Sequence, residues 1–150
     1  MKLRLYLAMA AMLLPSFMLA AQKNVPLYIC GFSTSFNDST VYFTDIQRMD
    51  SAYVDSKTGF LYSRDSYSYQ LRTHMQQVGV KNPTCVTIFG KTRKDVEKKY
   101  ANLKKRYATK GRYDVKYVLP TEFAFSPIIP DVSEMKDAPQ PKKAKKPKKK

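Results

Sequence analysis

"VPLYICGFSTSFNDSTVYFTDIQ", residues 25–47, decides the architecture of this chain. Val25–Ser33 is dense in β-branched and aromatic residues and reads as a strand. "SFNDST", residues 35–40, gathers Asn, Asp and Ser into a turn signal. Thr40–Gln47 reads as the returning strand, so the stretch forms a β-hairpin whose loop is longer than the tightest two-residue type. Both strands carry bulky residues on both faces, so neither need be an exposed edge.

Working towards the C-terminus, residues 48–62 fit either a small second hairpin around "DSKTG", with Gly59 at positive φ, or an irregular excursion. Residues 63–78 read as a helix, because Tyr67, Leu71, Met75 and Val78 form one apolar stripe. Ser63 and Asp65 suit its cap and first turn, and Gly79 suits its stop. Thr84–Phe89 is a short apolar strand. Residues 91–110 form the clearest helix, with the stripe Val96, Tyr100, Leu103 and Tyr107. Thr92 caps it, Asp95 takes the place a capping box gives to Glu or Gln, and Gly111 stops it. Tyr113–Leu119 is a further strand with Tyr113, Val115, Tyr117 and Leu119 on one face, ended by Pro120. "TEFAFSPI", residues 121–128, adds a last strand or a strap over the core.

The order is therefore β-β-α-β-α-β. It predicts the α+β class: a two-layer sandwich with a mixed sheet of about four strands and both amphipathic helices on one face. Residues 85–118 are expected to form a right-handed βαβ unit if their strands share a sheet.

The two ends carry different messages. Lys2 and Arg4, the apolar run Leu5–Leu14, the break at Pro15 and Ser16, and the small pair Ala20 and Ala21 have the layout of an export signal over residues 1–21. That apolar run is short of the roughly 20 residues a membrane span needs. Cleavage after Ala20 or Ala21 is expected to release a soluble periplasmic or secreted protein. Residues 22–130 form the α+β domain. Residues 131–150 lose all aromatics and gain Pro and Lys, a composition expected to stay disordered. The whole chain carries a net +15. The tail holds eight lysines against three acids and the leader two cations, which leaves +8 on the stretch between them. The domain is thus basic without its tail.

Two cysteines, Cys30 and Cys85, both fall on strands. In an oxidising compartment an even count suggests a bridge, worth about 4 kcal/mol in the chain-entropy model. Two buried free thiols are the other reading, since cysteine is a common core residue. His74, the only histidine, sits beside the stripe of its helix, and as a partner to a nucleophilic cysteine it is the weaker reading against plain surface. No histidine pair, C-x-x-C, calcium loop, G-x-S-x-G, P-loop or dinucleotide fingerprint occurs, so no catalytic residue, cofactor or metal is assigned. Tyr62, Tyr67 and Tyr69, near Arg64 and Arg72, offer a stacking surface for a sugar or a protein, set against Tyr67 in the core and the others at the sheet edge. The anion-binding candidates are Arg93, Lys94, Lys98, Lys105, Arg106 and Arg112, together with the tail lysines Lys142, Lys143, Lys145, Lys146, Lys148, Lys149 and Lys150. Such a face is also what a merely solvated helix presents, but this net charge exceeds what solubility needs.

"LYICGFSTSFNDSTVYFTDIQ", "YSYQLR" and "KKYANLKKRY" resemble stretches of small exported proteins of unknown function from Bacteroides-type anaerobes, a likeness that brings no activity with it. "TCVTIFGKTRKDVEKKYANLKKRYATKGRYDVKYV", residues 84–118, looks like one strand–helix–strand half of the SPOR domains, which bind denuded peptidoglycan glycan. The first half of the chain does not repeat that pattern, because its two strands precede its helix. The expected function is a non-enzymatic binding or structural protein of the cell envelope. Its basic surfaces would meet an anionic polymer, a lipid surface or a protein. A thiol-dependent enzyme or redox protein using Cys30 or Cys85, and a nucleic-acid binder using the tail, are the alternatives.

Overall fold

The computed structural model describes residues 22–109 and 111–131; the expected export signal at residues 1–21, Lys110 and the expected lysine-rich tail from residue 132 lie outside the described residues. Among the described residues seven elements follow one another: β1 (Gln22–Ser35), β2 (Thr40–Thr44), β3 (Gln47–Asp55), α1 (Arg64–Gln77), β4 (Pro83–Gly90), α2 (Arg93–Ala108) and β5 (Asp114–Val118). They build one mixed five-stranded sheet and two helices, an α+β fold.

The opening hairpin is longer than residues 25–47. β2 and β3 are successive segments of one arm, and both pair antiparallel with β1. Tyr28 is partnered by Arg48 and by Gly90 at once, and Phe32 by Phe43 and by Val86. β2 and β3 therefore share one edge of β1, while β4 takes the other, also antiparallel. β5 pairs parallel with β2. β4 consequently runs in the same direction as β5, with β1 and β2 between them, so residues 85–118 form a strand–helix–strand unit whose strands are not neighbours.

Two irregularities in the hairpin have sequence causes. The register shifts between Val25 and Leu27, where Pro26 lacks an amide hydrogen and β3 accommodates an extra residue. At Asp45–Ile46 the ladder breaks, and the Gly31 amide donates instead to Thr44 Oγ1 at 2.8 Å. At the tip, Asp38 Oδ1 accepts from the backbone and hydroxyl of Thr40. The "DSKTG" segment closes as a small turn: Asp55 Oδ1 accepts from the amides of Lys57 and Thr58, and Gly59 stands at φ +70°. Val54 and Leu61 then form a single antiparallel bridge.

The helices do not share a face of the sheet, contrary to the two-layer expectation. A Cβ placed on Gly31 would collide with Leu71 of α1, whereas the ring of the next residue, Phe32, packs 4.7 Å from that of Tyr107 in α2. Adjacent strand residues point to opposite faces, so α1 and α2 cover opposite faces. The reason is the apolar content of β1, buried over most of Leu27–Ser35, which demands cover on both sides.

Two apolar clusters result. On the α1 face, Leu27, Ile29, Val54, Tyr67, Leu71 and Met75 pack with Phe123 and Phe125. On the α2 face, Phe32, Val41 and Phe43 are covered by Tyr100, Leu103 and Tyr107. β5 differs from expectation. Of Tyr113, Val115, Tyr117 and Leu119, only Val115 is half-buried, while Val118 on the other face is buried. Among the described residues this strand pairs on one side only, with β2, and α2 covers its Tyr113, Val115 and Tyr117 face incompletely.

The caps divide between agreement and correction. Thr92 Oγ1 accepts from the Asp95 amide, the expected cap, and donates to the Asp95 carboxylate at 2.6 Å, so Asp95 engages the Thr92 hydroxyl where a capping box would engage the Thr92 amide. Ser63 stands at the start of α1 but adopts φ +50° and makes no side-chain cap bond. Val78 is exposed rather than part of the stripe.

After β5 the chain crosses the α1 face as an irregular strap. Two glutamines hold it by copying a β-ladder with their amides. Gln47 donates to the Phe123 carbonyl and accepts from the Phe125 amide, both at 2.9 Å. Gln70 donates to the Ser126 carbonyl at 3.0 Å and accepts from its amide at 2.9 Å. Tyr67 Oη accepts from the Ile128 amide at 3.0 Å. The buried Tyr67 hydroxyl and the strap backbone thereby satisfy each other.

Candidate anion-binding site

β4 ends at Gly90, opposite Tyr28, so among the described residues no strand lies beside β1 before Tyr28 on that edge. The gap is a cleft of about 570 Å³. Its floor is Val25, Leu27, Val54 and Phe89; one wall is the turn at Thr58 and Gly59; the other is Lys91 with Lys98, Lys99 and Asn102 of α2. Helical spacing brings Lys98, Lys99 and Asn102 to one flank of α2. The cleft contains three lysines and one acid, Asp95, whose carboxylate accepts from Thr92 Oγ1. Lys99 Nζ donates to the Phe89 carbonyl at 3.2 Å and lies 6.0 Å from the Phe89 ring centroid. Lys91 and Lys99 were absent from the sequence-derived candidates; the signal available was their position on the same flank of the helix start as Lys98.

The six domain candidates do not form one patch. Lys94, Lys98 and Lys105 fall on the outward pole of α2 and are exposed. Arg93 turns to one flank, where it forms an ion pair with Glu97 at 2.8 Å. There it lines a different cleft with Asp45, Tyr100 and Pro120, so its charge is already matched. Arg106 is exposed on the other flank, and Arg112 is exposed in the connection before β5. The lysines from Lys142 to Lys150 lie outside the described residues.

Both cysteines are free thiols. Cys30 is paired with Ile88 and Cys85 with Ser33, positions of opposite parity along β1, so the two side chains leave the sheet on opposite faces. A bridge between them would have to pass through the sheet, and the free-thiol reading is the one the structure takes. Burial pushes the Cys30 thiol up to about 12. The Cys85 thiol is also raised by burial, against the opposing influence of Ser33 and Arg72, and donates to Ser33 Oγ at 3.3 Å.

Cys85 lines a second cleft with Phe36, Arg64, Ser68, Tyr69 and Arg72. Of the tyrosine and arginine surface, Tyr67 belongs to the core, Tyr69 is exposed, and Arg64 is spent on the Thr87 carbonyl at 2.9 Å. His74 is half-buried on the strap side of α1, its ring 5.2 Å from that of Phe123. It is therefore turned towards the strap, away from the helix flank of Arg64, Ser68 and Arg72 that meets Cys85.

Among the described residues no group of three or more His, Cys, Asp or Glu is placed to hold a metal ion. No described helix is long and apolar enough to cross a membrane. Comparison with protein-family models, with curated proteins and with solved structures gives no match for this chain.

Proposed function

We propose that this chain is an exported, non-enzymatic binding protein of the cell envelope, which meets anionic polymer, lipid surface or protein through the outward face of α2. The observation that carries this reading is that Lys94, Lys98 and Lys105 stand exposed on one pole of a rigid, capped helix. Among the described residues none of the three has an ion pair. Unpaired cations held at fixed spacing attract a polyanion with little further ordering cost. The export signal at residues 1–21 supplies the compartment, and the tail lysines add a second cationic segment; a lysine near an anionic surface contributes about 1 kcal/mol of attraction.

The thiol alternative loses ground, because both thiols are raised above their ordinary value and an activated nucleophile needs the reverse. Co-sedimentation of the leaderless chain with purified envelope fragments tests the proposal. Binding that weakens between about 50 and about 200 mM salt supports it. No binding, or binding indifferent to salt, sinks it. Preferential binding to added DNA or RNA would move the assignment to the nucleic-acid alternative.

A further inference from the structure

The cleft beside the truncated end of β4 combines features that the outward pole of α2 lacks. The pole is convex and polar. The cleft is concave, and its floor is apolar: Leu27 and Val54 are buried in the main cluster, and Val25 and Phe89 are half-buried against it. Its volume of about 570 Å³ falls in the range of small-molecule sites, roughly 300–1,000 Å³. Its cations stand on one side only, as Lys91, Lys98 and Lys99. The single acid among its lining residues, Asp95, accepts from Thr92 Oγ1 and offsets only one of the three lysine charges, so the cleft keeps a net positive charge.

Charge at one wall and hydrocarbon at the floor select a ligand with both properties. We propose that this cleft binds a small amphipathic anion, a short apolar body ending in a carboxylate or phosphate. The apolar body lies over Val25, Leu27, Val54 and Phe89. The head meets Lys91 and Lys99, with the Asn102 side-chain amide on the same wall as a neutral donor. Lys99 now spends its ammonium on the neutral Phe89 carbonyl. An anionic head offers it a stronger partner, since charge-assisted hydrogen bonds are roughly twice as strong as neutral ones. An isolated inorganic anion fits less well, because it would leave the half-buried part of the floor, Val25 and Phe89, open to water. A neutral alcohol of the same length fits less well, because it would leave the lysines without a counter-charge.

The test is calorimetric titration of the leaderless full chain with four probes: decanoate, octyl phosphate, decanol and inorganic phosphate. Decanoate and octyl phosphate are expected to bind saturably with one site per chain, at least about tenfold more tightly than decanol or inorganic phosphate. Which of the two binds more tightly identifies the head. The Lys91→Ala, Lys99→Ala double variant is expected to weaken decanoate roughly tenfold with an unchanged circular dichroism spectrum, because both side chains are exposed and neither packs in the core. The Lys94→Ala, Lys105→Ala double variant is expected to leave decanoate binding as it was. Equal affinity for decanol overturns the proposal, and so does equal affinity for inorganic phosphate. A loss in the Lys94 and Lys105 variant as large as that at Lys91 and Lys99 also overturns it. Polymer binding is read on Lys94 and Lys105, so the envelope-binding proposal and this one fail separately.

Discussion

Cys30 and Cys85 belong to adjacent strands of one sheet and project from its opposite faces, Cys30 beneath α2 and Cys85 beneath α1. Non-reducing mass spectrometry of the protein is therefore expected to find two free thiols and no intramolecular bridge. Alkylation at neutral pH is expected to reach Cys85 slowly and Cys30 only after unfolding, since burial raises both thiols and Cys30 is the more deeply enclosed. Rapid labelling of Cys30 in the native protein would contradict this arrangement.

The same burial gives the fold an alkaline limit. Cys30 is shifted from 9.0 to about 12, and Tyr100 from 10.0 to about 12, in both cases chiefly by burial. A folded-state value above the unfolded one means that the stabilisation is complete below the unfolded value and is lost as pH rises through the folded one. Denaturant unfolding is thus expected to show stability falling from about pH 9 towards 12, more shallowly in Cys30→Ala. Stability that is flat across this range would show that these groups ionise freely in the fold.

Gly31 is where β1 comes closest to α1, and a methyl group there would meet Leu71 with Phe125 and Thr44 close behind. Gly31→Ala is expected to cost about 1–3 kcal/mol, the usual range for overpacking a core. Chemical denaturation measures this directly. A neutral result would mean that α1 can withdraw from the sheet.

The Gln47 clamp on the strap predicts a local effect. In Gln47→Ala the Phe123 carbonyl and the Phe125 amide both lose their partner. The cost is about 1–3 kcal/mol, for a drop of about 5–10 °C in melting temperature. Hydrogen exchange should quicken at Phe125 and Ser126 while the amides of α2 stay protected. Gln47→Glu retains the acceptor for Phe125 but sets a carboxylate oxygen against the Phe123 carbonyl, so it is expected to be no milder than Gln47→Ala.

Thr92→Ala removes both hydrogen bonds that the Thr92 hydroxyl makes with Asp95 at the start of α2. It is expected to cost about 1 kcal/mol, with Thr92→Ser restoring most of it. Because Lys91 and Lys98 flank this turn, the same variant should also loosen the lysine wall of the cleft, read as weaker decanoate binding.

Much of this fold was legible in the sequence where one local signal decided the outcome. The stripes Tyr67–Leu71–Met75 and Val96–Tyr100–Leu103–Tyr107 gave both helices, and Thr92 with Asp95 gave the start of the second. The strap was foreseen as one of two options for residues 121–128. Its mode of attachment was not, because the contact from Gln47 to Phe125 spans 78 residues and has no local pattern. β3 was obscured by the break at Asp45–Ile46, which hides that the returning arm resumes. The placement of the helices turned on long-range packing: amphipathic stripes say that each helix needs an apolar face, but not which face of the sheet supplies it. The cleft depends on where β4 stops relative to β1, and that is likewise a matter of register. This is why Lys94 and Lys98 were visible as a helix face while Lys91 and Lys99 were not visible as a wall.

Binding of the chain from residue 22 onwards to purified envelope fragments, measured against salt concentration for the parent and for Lys94→Glu, Lys105→Glu, tests the central claim most directly. The account predicts that the parent's affinity falls steeply as salt rises, and that the variant binds at least tenfold more weakly with a shallower salt dependence and an unchanged fold. A variant that binds as tightly as the parent, with the same salt dependence, would contradict it.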